Sequence, residues 1–379
     1  MCEITTGTGT GGNWPGSSCG QTYNAGNGYL SSCTRNPLGK ITAVTQNAQS
    51  ASRETRAFQY DEQGRLTEET NPETKQLPVY YTYDSDAACG TAAADAGVLV
   101  KRVSARGITT CYHHDSDLSG RLDHIAYSDG TPAKYYVYGT NSSESVEGFA
   151  VNNGIGRLVE AYSGSHATDE VFDYNKLGRM TLAAEATPDS GGWYQVYANY
   201  FFNGTPDALL LENGAGADLL PGEIFYTADG EGRPAGATYG SNPLVTAASY
   251  SALGLGSATY ASGDGHTDTD TYGYDANTGR PNSYTFSVDG ASDAGTYSWL
   301  ANGELGSFSV SDSVPGAADN GFGCSYAHDD LGRLSSANCG AGSDQAFTFD
   351  PFGNVCKAAS AGTNFCPSYS LYNQITTAS

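Results

Sequence analysis

The sequence predicts an all-β chain in which tandem β-hairpin repeats form one long antiparallel sheet. Three observations lead there. A short turn phrase recurs along the chain, the segments beside it alternate as strands do, and glycine is abundant where helical periodicity is absent. Gly occupies 49 of 379 positions, about 13% against a usual share of about 7%. The 27 Tyr supply amphipathic rings suited to half-buried strands.

The phrase reads Tyr60-Asp61-Glu62-Gln63-Gly64-Arg65-Leu66, then Asp173-Tyr174-Asn175-Lys176-Leu177-Gly178-Arg179-Met180. It returns as Tyr274-Asp275-Ala276-Asn277-Thr278-Gly279-Arg280 and His328-Asp329-Asp330-Leu331-Gly332-Arg333-Leu334. Weaker copies run Asn36 to Lys40, Asp117 to Gly120 and Arg121, Asn153 to Gly156 and Arg157, Asp229 to Gly232 and Arg233, Ser251 to Gly254, and Asp350 to Asn354. Degenerate copies fall near Tyr83-Asp84, Asn203-Gly204 and Asn302-Gly303. The unit is roughly 20 to 30 residues, repeated on the order of a dozen times, as in a linear array.

Turn chemistry explains the phrase. In nine of ten copies Asp, Asn or Ser stands three residues before the Gly. A type I turn takes a side-chain acceptor at its first position and, at its fourth, a Gly for which positive φ is cheap. Such a turn followed by a left-handed Gly makes a hairpin with a bulge. The flanks alternate: Val79, Tyr81 and Tyr83 oppose Tyr80 and Thr82, and Phe347 and Phe349 oppose Thr348. A single two-stranded hairpin is marginal in water, so the units must pair side by side. Seven arginines, at 65, 121, 157, 179, 233, 280 and 333, directly follow the turn glycine. A planar, permanently charged fork there binds turn carboxylates or stacks on a neighbouring Tyr.

These residues resemble the YD repeat of the RHS family, approximately Tyr-Asp-x-x-Gly-Arg-Leu, over about residues 36–379. The family includes polymorphic bacterial toxins, insecticidal toxin-complex B and C subunits, and teneurins. The resemblance implies a β-strip that spirals into a hollow shell, which in the toxins encloses a cytotoxic C-terminal domain. The family's self-cleaving C-terminal core is not evident. Asp350-Pro351-Phe352-Gly353-Asn354 resembles its DPxG element, but the same letters fit an ordinary repeat turn. A dozen units favour an open, curved strip or an assembling subunit over a closed shell. The expected organisation is a Gly/Ser/Cys-rich N-terminal segment, 1–35, followed by the array, 36–379.

Charge and cysteine content bound the function. Lys and Arg total 18 against 41 Asp and Glu, a formal charge of −23. Such a chain repels phosphate, which excludes nucleic-acid binding by counterion release. No apolar run approaches the roughly 20 residues that span a bilayer. The nine cysteines suggest an oxidising, extracellular or cell-surface setting. Sequence-adjacent pairing gives Cys19–Cys33, Cys89–Cys111, Cys324–Cys339 and Cys356–Cys366, leaving Cys2 single; other connectivities fit the sequence equally. Residues 1–30 contain no apolar signal core, so a piece of a longer secreted chain is expected.

No catalytic site is expected. Gly16-Ser17-Ser18-Cys19-Gly20 fits the G-x-S-x-G letters without the strand-to-helix elbow that motif needs. Gly7-Thr8-Gly9-Thr10-Gly11-Gly12 fits GxGxxG by composition alone. Cys111, His113 and Asp115 share one strand parity and form the densest set of potential metal ligands; a structural role is expected, and no metal. No cofactor is expected either. The acceptors Asp264, Asp268, Asp270, Asp275 and Asn277 fail the EF-hand spacing and offer only a loose place for Ca²⁺. The functional expectation is a non-enzymatic extracellular scaffold that encloses, displays or assembles. Unpaired strands at its ends would self-associate or dock flanking repeats of a longer parent, with protein cargo or surface glycan as further partners. The alternative is a carbohydrate-binding or adhesion module that uses exposed Tyr.

Overall fold

The structure is a computed structural model. It describes residues 2–5, 29–48, 50–91, 97–115, 120–213, 222–262, 265, 267–316, 321–329, 331–340, 342–360 and 362–377. Strands dominate and join in a long antiparallel sheet. Among the described residues the helical element is a 3-10 turn at Pro72–Thr74. No helix among the described residues is long and apolar enough to cross a membrane. The chain divides into two compact units.

The first unit comprises Met1–Thr82, Lys101–Ile108 and Ala294–Ser379. Cys2–Thr5 pairs with Tyr29–Arg35, which pairs with Ile41–Gln46. Strands inside residues 1–35, the segment expected to precede the array, thus pair into the sheet. The reason is local: Asn36 to Lys40 is a hairpin turn, and such a turn requires a strand on each side. The ladder continues through Glu54–Tyr60, Leu66–Thr70 and Pro78–Tyr83. In the same unit, Leu305–Asp312 to Val355–Ala359 form a second run of neighbours. A small hairpin follows, Ser368–Tyr369 with Ile375–Thr377. Its turn reaches residues far away in sequence: Gln374 Nε2 donates to Glu73 O at 2.7 Å. Glu73 in turn holds Arg56 through both carboxylate oxygens.

The second unit comprises Tyr83–Val100 and Thr109–Asp293. Its strands pair each with the next, from Thr109–His114 to Pro281–Val288. One hairpin interrupts the order. Among the described residues Ser143–Val146 pairs only with Phe149–Asn152, so Lys134–Tyr138 skips both and pairs with Leu158–Ser163. The inserted hairpin contributes to the buried apolar cluster of Val151, Val159, Val171, Leu182 and Ala184, with Val146, Phe149, Trp193 and Tyr197 packed against it. Its apolar residues need cover, and the strands beneath them supply it.

Most repeat turns share one hydrogen-bond pattern. Asp61 N donates to Arg65 O and Gly64 N to Asp61 O; Asn175 with Arg179, Asp229 with Arg233 and Asp329 with Arg333 repeat it. Gly64, Gly178 and Gly332 carry φ of 78°, 77° and 74°. The register shifts beside the turn, as at Gln59/Tyr60 and Asp173/Tyr174, which is the bulge a left-handed glycine produces. Asp350 to Asn354 has the same pattern and is an ordinary repeat turn.

Four copies differ from expectation. Arg121 is held by Asp115, and Asp117 lies outside the described residues. Asp275 to Arg280 is one residue longer. Ser251 pairs directly with Gly254, whose φ of 148° lies outside the narrow left-handed helical region. Asn153 to Arg157 is not a hairpin turn: Gly156 N donates to Gly139 O, and Arg157 N to Gly154 O. The strand before it, Phe149–Asn152, pairs with Ser143–Val146, and Lys134–Tyr138 takes the place beside Leu158–Ser163. Ser104 to Ile108 and Ser370 to Gln374 are repeat turns absent from the expected set, the latter with Asn373 in the glycine position at φ 56°.

Candidate functional site

The turn aspartate carries two loads. Asp61 Oδ1 accepts from Gln63 N and Arg65 N, while Oδ2 accepts from Arg65 Nε at 2.7 Å. Asp229 with Arg233 and Asp329 with Arg333 are built alike. The Arg65 backbone N–H first, and its guanidinium after, hold Asp61 below the usual carboxylate range; Arg233 does the same for Asp229. Asn354 mimics the arginine by donating Nδ2 to Asp350 Oδ2.

The guanidinium also lies over a ring from the next repeat. Arg121 sits 4.4 Å from the Tyr138 centroid, Arg157 5.6 Å from Tyr174, Arg179 5.8 Å from Tyr200, Arg233 4.6 Å from Tyr250 and Arg333 4.1 Å from Phe349. Three of these tyrosines close the link through their hydroxyls: Tyr174 donates to Leu158 O, Tyr200 to Met180 O and Tyr250 to Pro234 O. Each acceptor immediately follows the arginine beneath the ring. Tyr60 and Tyr274 make the same bond to Ile41 O and Leu255 O. Tyr, Asp, Gly and Arg thus form one lock between successive repeats. Cation–π contact, a charge-assisted pair and a hydrogen bond converge on it. The glycine serves twice, since a Cβ at Gly178 would strike the Arg157 guanidinium and one at Gly204 the Arg179 guanidinium.

A second constellation lies in the second unit. Glu160 stands opposite Val171, and Tyr162 opposite Asp169, so both carboxylates share one sheet face. His166, in the connecting turn at φ 58°, places Nδ1 2.6 Å from Asp169 Oδ2 and 3.4 Å from Glu160 Oε1. Glu147, at the inserted hairpin's turn, approaches to 4.0 Å. The His166 ring stacks on Tyr162, Tyr162 on Tyr135, Tyr135 on His124 and His124 on His113. Burial first, and His124 after it, hold His113 below the usual imidazole value. Nothing in the local spacing of Glu147, Glu160, His166 and Asp169 marked them, because the inserted hairpin brings Glu147 in.

These carboxyls shift upward together. Burial, reinforced by Asp169, pushes Glu160 up to about 7, and burial also raises Asp169. The hydrogen bond to Asp169 raises His166. Each folded value lies above its unfolded one, so the folded state binds more protons. The Glu160 contribution to stability is complete below the ordinary value of 4.5 and is lost as pH rises through about 7. In metal-free buffer the thermal midpoint of the second unit should fall over that interval, and Glu160→Gln should flatten the slope. A midpoint that rises across the interval would contradict this assignment.

The remaining expected sites separate. Cys111 is bonded to Cys89, His113 stacks on His124 and Asp115 binds Arg121, so the three do not converge on a metal. Disulfides also join Cys324 to Cys339 and Cys356 to Cys366. Cys19, the expected partner of Cys33, lies outside the described residues, as does Asp264. Asp270 Oδ2 accepts from the Tyr272 hydroxyl at 3.3 Å. Among the described residues Tyr80, Tyr194, Tyr260 and Tyr372 are exposed, the first three on separate strands.

Residues 35–76 match the RHS Repeat family. No curated protein sequence matches the chain with significance. Among solved structures the chain is similar to TcdB2-TccC3, with a TM-score of 0.59 and 14% identity, over 91% of this chain and 20% of that one. It is similar to TcdB2-TccC3-Cdc42 with a TM-score of 0.57 and 14% identity, over 89% and 19%. At such identities the likeness shows the fold. The chain spans about a fifth of the length of these solved chains.

Proposed function

We propose that this chain, an RHS-repeat chain by its residues 35–76 and by its fold, is a non-enzymatic extracellular scaffold. It is a stretch of β-strip that displays or encloses a protein partner and joins further repeats through its sheet edges. One observation carries the reading: the repeat's polar residues are spent on the lock between repeats. Asp, Arg and Tyr, which elsewhere do acid–base or binding chemistry, here hold each other and the backbone. Three disulfides support an oxidising location. The similar TcdB2-TccC3 structures, far longer than this chain, support assembly with other segments.

Size-exclusion chromatography with light scattering over a concentration series tests the assembly. Growth of mass with concentration is the expected result, and a monomer at every concentration rejects edge-to-edge association. Intact-mass spectrometry after prolonged incubation should return one unchanged chain; a cleaved product would overturn the non-enzymatic assignment. Retention on a glycan array would move the reading to an adhesion module built on exposed rings such as Tyr80 and Tyr194.

A further inference from the structure

The carboxylate–histidine cluster of the second unit holds more negative charge than its one imidazole offsets. Asp169 is 2% exposed and Glu160 6%, yet Asp169 Oδ1 and Glu160 Oε1 accept no hydrogen bond. Glu160 Oε1 lies within ion-pair distance of His166 Nδ1, at 3.4 Å, without a bonding angle. Most buried carboxylate oxygens in native interiors have a partner, and one without is a mark of an ion, a proton or a water. One potential ligand atom from each of Glu147, Glu160, His166 and Asp169 lies within 4.8 Å of the other three. A tetrahedral ion with bonds of about 2.1 Å sets its ligands roughly 3.4 Å apart. The two outer ligands are the ones able to close that gap: the His166 and Glu147 side chains are 40% and 44% exposed, and each sits in a turn.

We propose that Glu147, Glu160, His166 and Asp169 form a divalent-cation site of the Zn²⁺ class, which clasps the inserted hairpin to the strands below it. An imidazole nitrogen among three carboxylates suits Zn²⁺ or a neighbouring transition ion. Ca²⁺ and Mg²⁺ take all-oxygen shells. Two strands supply the buried ligands and two turns the mobile ones, so the ion would bind after folding and tie the turns down. A proton shared between Glu160 and Asp169 is the competing way to offset the charge, and metal titration separates the two.

Calorimetric titration of the EDTA-stripped full chain with ZnCl₂ should show one bound ion per chain and a raised thermal midpoint. His166→Ala should weaken binding at least tenfold while leaving the circular dichroism of the sheet unchanged. Glu160→Gln combined with Asp169→Asn should do the same and keeps the side-chain volumes. CaCl₂ should bind at least tenfold more weakly than ZnCl₂. Failure of the unmodified chain to take up Zn²⁺ overturns the site. So does unchanged Zn²⁺ affinity in either variant, which would mark the uptake as adventitious, or Ca²⁺ binding as tight as Zn²⁺.

Discussion

Tyr174→Ala should cost the second unit about 3 kcal/mol of unfolding free energy, the lower end for deleting a packed aromatic because this ring is only half-buried. The ring lies over Arg157, its hydroxyl donates to Leu158 O at 2.6 Å, and its own carbonyl accepts from Asn153 Nδ2 at 2.8 Å. Removing it opens the lock between the strands Leu158–Ser163 and Thr168–Tyr174. Tyr174→Phe keeps the ring and loses one hydrogen bond, so it should cost about 1 kcal/mol. Arg157→Met in each background measures the cation–π share, about 0.5–1 kcal/mol at a partly exposed site. In a linear array the damage stays with nearest neighbours. Chemical denaturation would give the magnitude, and hydrogen exchange should place the lost protection on those two strands. A Tyr174→Ala loss no larger than that of Tyr174→Phe would refute the lock as a stabilising device.

Gly139→Ala should cost about 2–3 kcal/mol by overpacking. A Cβ there would stand 2.5 Å from Gly154 O and 2.6 Å from Glu144 Oε1. Gly139 N donates to Arg157 O, and Gly139 O accepts from Gly156 N, so the backbone has no freedom to retreat. Gly130→Ala is the control. That glycine has φ 84° and open space around it, so its loss is backbone strain alone, about 1–2 kcal/mol. The Gly139 variant should also expose Phe149–Asn152 to limited proteolysis, because Gly139 and Gly154 form the close approach where the inserted hairpin leaves and rejoins the strip. Equal losses in the two variants would show that the approach is not tight.

The turn rhythm was readable because its determinants lie within five residues. Asp61, Gly64 and Arg65 specify a turn, a positive φ and a charged hydrogen bond without help from elsewhere. Elsewhere that logic is locally ambiguous. Asp115, two positions before the expected Asp117, binds Arg121. Ser251-Ala252-Leu253-Gly254 has the letters of a bulged turn but forms a tighter one. Ser104-Ala105-Arg106-Gly107 obeyed the rule and could have been found by it, since Gly107 N donates to Ser104 O. Asn153 has the letters of the rule but not its turn, because Phe149–Asn152 before it pairs with Ser143–Val146 and Lys134–Tyr138 takes the place beside Leu158–Ser163.

From composition and spacing alone one could deduce hairpins, their beat, and arginines in constant register. Backbone dihedral preference and short-range hydrogen bonding act over a handful of positions and leave their mark in the letters. Folding in three dimensions chose the rest: which ring each guanidinium covers, where an extra hairpin lies down on the strip, and that Glu147 meets Glu160, His166 and Asp169. Those outcomes depend on apolar area buried jointly by residues such as Val151, Val159 and Val171. Burial is a property of surfaces brought together, and no single stretch of chain encodes it.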